Sequence, residues 1–204
     1  MATYGDMQAR IADELARTDL AAEIQNEIQT AISYYENERF WFNEGQWTFN
    51  TVNAQELYAL PVQFVADFDV VGQWGTWWYR LVPLTQEYVD QIDALKIVSD
   101  LPRAFALFQE QIRIFPPPYP NVIITINGIT KLPALVNPTD TNAWMTSAEE
   151  LIRTRAVANI YSRYIRDTAQ YQVMMQYLES QVLPRMRGKN IGRRAMGRII
   201  PHQI

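Results

Sequence analysis

The chain contains no cysteine, which excludes disulfide staples, thiol nucleophiles and thiolate metal sites. That usage suits a reducing cytoplasm. It has a single histidine, His202, close to its last residue, so an imidazole dyad or a multi-histidine metal site has no second member. No apolar run approaches the roughly 20 residues that cross a bilayer, and the first residues lack the charged-then-apolar pattern of a secretion signal. Gly188-Lys189-Asn190 lacks the spaced glycine and the hydroxyl of a phosphate-binding loop. There is no GxGxxG, GxSxG or HExxH, and Asn137-Pro138-Thr139 is barred from glycosylation by its proline. No internal repeat is visible. No catalytic residue, cofactor or metal is expected.

What is present is globular material: 204 residues, 48% hydrophobic and 20% charged, enough for one domain or a domain with an inserted module. The net charge of -4 conceals an asymmetry. Six of the 18 basic residues, Arg185, Arg187, Lys189, Arg193, Arg194 and Arg198, follow Pro184, where there is no acid. The remaining 12 bases share residues 1–184 with all 22 acids. An acidic body with a basic tail implies that the tail seeks an acidic surface, on its neighbour or on a partner. The tail has no aromatics for base stacking, and Ile199-Ile200-Pro201 reads as a hydrophobic plug on a charged arm. Both features favour protein docking over nucleic acid.

The longest helical pattern runs from Thr146 to Leu183. Thr146 and Ser147 each precede a glutamate by three residues, which predicts overlapping capping boxes with Glu149 and Glu150. Ala148, Ile152, Ala156, Ile160 and Tyr164 then recur every four residues, and Glu149 precedes Arg153 in the order that favours an ion pair. A break is expected near Arg166-Asp167-Thr168, because 38 helical residues would span roughly 57 Å. Pro184 is expected to end the helix. Met174 and Met175 read as core filler. Near the start, a helix over 6–17 capped by Asp6 is followed by a second, capped by Thr18 or Asp19, with Leu20, Ile24, Ile28, Ala31, Ile32 and Tyr35 on one face. That face is the natural partner of the later helix.

The middle has strand periodicity. Trp47, Phe49 and Thr51 alternate with polar residues, and 64–82 reads as a hairpin turning at Gly72-Gln73-Trp74-Gly75. A short helix is expected over 85–95, strands over 105–108, 112–115 and 121–126, and a type I′ turn at Asn127-Gly128. The fold class is therefore α+β. A helical bundle built from 1–39 and 145–184 carries an inserted antiparallel β module over 40–144 and an extended basic arm over 185–204. Asp67/Asp69 and Glu149/Glu150 read as a strand's solvent face and a helix start rather than acid/base pairs. Among the aromatics of the hairpin, Trp77 or Trp78 is expected in the core, with Trp74 as an exposed anchor.

The ordered set resembles one family. Tyr34-Tyr35-Glu36-Asn37-Glu38-Arg39-Phe40-Trp41-Phe42-Asn43-Glu44 leads to Trp47-Thr48-Phe49-Asn50-Thr51 and Tyr58-Ala59-Leu60-Pro61. Ile112-Arg113-Ile114-Phe115-Pro116-Pro117-Pro118 and Thr141-Asn142-Ala143-Trp144-Met145 follow, ahead of Glu149-Glu150-Leu151-Ile152-Arg153. Over nearly the whole chain this is similar to the head-to-tail adaptor (head-completion, neck) proteins of tailed bacteriophages. The resemblance implies a virion protein that is not an enzyme, made in the host cytoplasm and assembled, typically as twelve copies, into a ring below the portal. DNA passes through without specific binding. It implies a C-terminal arm clasping the portal, here Arg185, Arg187, Lys189, Arg193, Arg194, Arg198, Ile199 and Ile200. The β insertion would face tail, stopper or nozzle proteins, with Trp74 and Trp77 as possible contacts. The rival expectation is a carbohydrate- or receptor-binding module that uses the 72–79 aromatics. A hydrolase is weaker still, for want of a nucleophile and base.

Overall fold

The computed structural model describes residues 2–93 and 99–196, with no side-chain description for 66–68, 93 and 191–196. In chain order, helices α1 (Tyr4–Leu15) and α2 (Ala21–Tyr35) precede strands β1 (Glu44–Asn50), β2 (Leu57–Ala59), β3 (Phe64–Trp74), β4 (Trp77–Arg80) and β5 (Val82–Pro83). Helix α3 (Gln86–Asp93) leads to β6 (Ala104–Phe108), β7 (Gln111–Phe115) and β8 (Ile123–Thr130). Four helices close the described chain: α4 (Ala143–Thr146), α5 (Glu149–Ile160), α6 (Thr168–Tyr177) and α7 (Leu183–Met196). The fold class is α+β. The chain divides into two compact units, one of residues 1–43 with 132–204, the other of 44–131.

In the helical unit, α5 is buried on nearly every side, from Leu151 and Ile152 through Thr154 to Ile160. A helix buried all round is a core element, so the apolar stripe of the sequence widens into a complete surface. Against it lie Tyr4, Met7, Ile11 and Leu15 of α1 and Ile24, Ile28, Ala31 and Tyr35 of α2, in one continuous core. The two ends of the chain therefore pack together. Phe40 and Trp144 join this core edge to face, their ring centroids 5.8 Å apart. Met174 and Met175 pack half-buried at its margin.

The expected break is present and has a local cause. After α5 comes one π-type turn (Tyr161–Ile165), then Arg166 in the left-handed conformation, then Asp167, whose carboxylate accepts from the Gln170 amide to cap α6. Pro184, expected as a stop, instead sits in the first turn of α7 after a second π-type turn (Leu178–Val182), where a missing amide donor is tolerated. Residues 185–196 are thus helical rather than extended. Residues 197–204 lie outside the described residues.

Other caps differ from expectation. Thr3, not Asp6, caps α1, and the Asp6 carboxylate accepts in turn from the Thr3 amide. Asp19 is held by Arg17 at 2.6 Å, leaving α2 with Leu20 at its cap position and no side-chain bond there. Ahead of α5, residues 143–146 are themselves helical, capped by Asn142. Thr146 accordingly donates to the Asn142 carbonyl, and α5 starts without a capping box.

The β unit holds two four-stranded sheets, ordered β1-β8-β3-β4 and β2-β7-β6-β5. Val70, Ile124 and Ile126 of the first and Tyr58, Phe105, Ile112 and Ile114 of the second form one core, completed by Leu81. Helix α3 covers another part of the second sheet, Val89 packing with Ala106 and Phe115. Asn127-Gly128 is not a turn. Those residues pair with Gln46 and Gly45 in an unbroken β1–β8 register, so ladder pairing overrides the local turn preference. The β3–β4 turn is Gly75-Thr76, with Gly75 at φ +59°, where glycine has no side-chain penalty. One pairing, β5 with β6, is parallel.

Candidate functional site

Two places collect residues that could engage a partner. The first is the basic segment after Pro184. Arg185 lies 2.9 Å from Glu150, whose carboxylate also accepts from the Tyr177 hydroxyl at 2.6 Å. That bond holds the Tyr177 proton and raises its pKa. Arg187 donates through Nε to Glu38 at 2.6 Å, and this hydrogen bond raises its pKa above the ordinary guanidinium value. The Lys189 ammonium sits 5.6 Å from the centroid of the Trp41 ring. Between them, Asn190 accepts from the Trp41 amide at 2.7 Å and donates to the Arg39 carbonyl at 2.5 Å.

The first half of the basic tail is therefore docked on its own subunit, along the chain that leaves α2. Charge asymmetry anticipated an acidic surface for it, and Glu38 and Glu150 supply one within the unit. Nothing in the sequence marked Asn190, which acts through backbone groups about 150 positions earlier. The side chains of Arg193 and Arg194, and all of Arg198, Ile199, Ile200 and His202, lie outside the described residues.

The second place is the β3–β4 hairpin. Trp74, Trp77 and Trp78 are 42%, 78% and 63% exposed. The expectation that Trp77 or Trp78 enters the core fails for a geometric reason. Strand β8 pairs with β3 only as far as Gln73, so Trp74 and Trp77 form a row beyond the neighbouring strand. Beside Trp78, strand β4 is the edge of its sheet. Tyr79 alone turns inward to the core. The Trp74 ring lies 6.1 Å from that of Tyr119 and extends the aromatic surface.

The carboxylates considered for acid/base work have structural partners. Asp69 pairs with Arg80 at 3.0 Å. Glu149 joins Arg10 at 2.9 Å and Arg153 at 3.7 Å, and Arg153 also meets Glu14. Buried Arg113 bridges Glu56 at 2.8 Å and Asp90 at 2.5 Å. Glu27, 1% exposed, is met by Arg163 at 2.8 Å. An apolar hollow lined by Leu60, Pro61, Val62, Phe64 and Leu107 has Glu110 as its one charged group. Among the described residues no group of three His, Cys, Asp or Glu could hold a metal, and no helix is long and apolar enough to cross a membrane.

Comparison with known proteins assigns the whole pattern. The family model described as SU10 adaptor protein matches residues 2–201, while no curated protein matches the sequence. The family is structural, its members are virion components, and an adaptor interacts with other phage head and tail proteins. With nearly every residue from the first helix to the basic tail covered by the match, the chain belongs to the SU10 adaptor family of bacteriophage head-to-tail adaptor proteins.

Proposed function

We propose that the protein is a head-to-tail connector, a ring of about twelve copies beneath the portal that joins the DNA-filled capsid to the tail. The near-complete family match carries this reading. Charge supports a division of labour: all acids precede Pro184 and the final residues are cationic and apolar. Arg185, Arg187 and Lys189 order α7 on the subunit. Arg193, Arg194, Arg198, Ile199 and Ile200 then engage the portal, as cations and apolar side chains beyond the docked part of the tail. The exposed Trp74 and Trp77 are suited to a tail-side protein, since large aromatics dominate interface energetics. The acidic body gives DNA passing through the ring no cationic grip. The protein is made in the host cytoplasm.

Truncation after residue 190 tests the portal contact, because it keeps the Asn190 bridge and the Arg187 pair. The expected result is a folded protein that no longer cosediments with portal-bearing heads. Retained cosedimentation refutes the assignment. A second reading, a glycan- or receptor-binding module, draws on the same three exposed tryptophans. A glycan screen with Trp74→Ala as control separates the two.

A further inference from the structure

The two sheets of the β unit treat their edges differently. One ends in β2, of three residues, and β5, of two residues including Pro83, and short or proline-bearing edges resist pairing with other chains. The other ends in β1, seven residues in unbroken register, and β4, which carries Trp77 and Trp78. Neither of these has a lysine, a proline or a bulge in its own pairing. Unblunted edges are templates for strand addition.

The geometry points to a second copy of this chain as the added strand: β4 of one subunit pairs antiparallel with β1 of the next, Arg80 opposite Glu44. This proposal rests on the ring reading and names its lateral contact. Every pairing in this sheet is antiparallel, so with four strands β1 and β4 run in opposite directions. Copies placed side by side, without inversion, then continue the alternation, giving the head-to-tail interface that closes into a ring.

Backbone phase agrees. The Thr51 amide donates to Val122 on the β8 side, so Glu44 and Gln46, an odd number of residues away, turn their backbone groups outward. The Leu81 amide donates to Val70, which by the same alternation turns Trp78 and Arg80 outward from β4. Opposing Arg80 to Glu44 therefore sets Trp78 against Gln46 as mutually hydrogen-bonded pairs. It also places Trp77 against Trp47 on the same face. Charge suits this register: Glu44 is the one charged residue of β1, and Arg80, which also pairs with Asp69 of its own subunit, is the one of β4, and both lie at the same end of the antiparallel pair.

Because the chain has no cysteine, one engineered pair reports the contact. Full-length Gln46→Cys and Trp78→Cys proteins are mixed, assembled on portal-bearing heads and treated with a short bis-maleimide. Within one subunit the two positions sit on opposite edges of the sheet, at least about 14 Å apart across three spacings of about 4.8 Å, so a short link joins only neighbours. Cross-linked dimers in the mixture, and with neither variant alone, are expected. A ring of unchanged mass without cross-links overturns the edge pairing and leaves the ring reading intact. Cross-linking of Asn50→Cys with Trp78→Cys instead overturns the Glu44–Arg80 register. Particles with no multimer overturn both the pairing and the ring.

Discussion

Asn190 holds Trp41 across 149 residues of sequence: its Oδ1 accepts the Trp41 amide at 2.7 Å while its Nδ2 reaches the Arg39 carbonyl at 2.5 Å. One side chain satisfies a donor and an acceptor where the chain leaves the helical unit. Asn190→Ala removes both of these bonds at a part-buried site, which costs about 1–3 kcal/mol. Urea denaturation checks this, with the midpoint falling and the slope unchanged.

The tryptophans divide by burial. Trp144 is enclosed by Phe40 and Phe42, with centroids 5.8 and 5.0 Å away, and Trp144→Ala is expected to cost about 3–5 kcal/mol. Trp77 is mostly exposed, so Trp77→Ala should shift the stability of the free chain by no more than about 0.5 kcal/mol while weakening its contacts in the assembly. Thermal melts of both proteins, beside tail-joining assays, separate fold from contact.

These differences mark what was legible in the sequence. Helical periodicity placed Met7, Ile11, Ile24, Ile28 and Ile152 in the core and the break at Arg166-Asp167, because those signals are local. Asn127-Gly128 misled because its partners, Gln46 and Gly45, lie some 80 positions away and a ladder outweighs a turn preference. Trp77 and Trp78 misled because composition cannot say that a hairpin outruns its neighbouring strand. Charge asymmetry pointed the basic tail to acid, and Arg185 and Arg187 meet it in Glu150 and Glu38, which belong to the same unit.

Acid sensitivity follows from exposed carboxylates that accept hydrogen bonds. Asp140 is held below the usual carboxylate range by the amides of Asn137 and Val136, and Asp6 by the amide and hydroxyl of Thr3. Asp19 is lowered to about 2, chiefly by its hydrogen bond from Arg17. A depressed folded pKa stabilises above the unfolded value and loses that stabilisation as pH falls through the folded one. The loss therefore runs from about pH 4 down to about pH 2 for Asp19. Unfolding free energies for the parent and Asp19→Asn across this window are expected to converge as the pH drops.

We propose that this adaptor joins a larger assembly through its basic C-terminal tail and the edges of one sheet. The most direct measurement is the mass of the full chain alone and after mixing with portal-bearing heads, with particle-bound copies counted. A fixed, ring-sized number of copies per head is expected, lost when residues 191–204 are removed. A chain that stays unbound, or binds heads in no fixed number, contradicts the account.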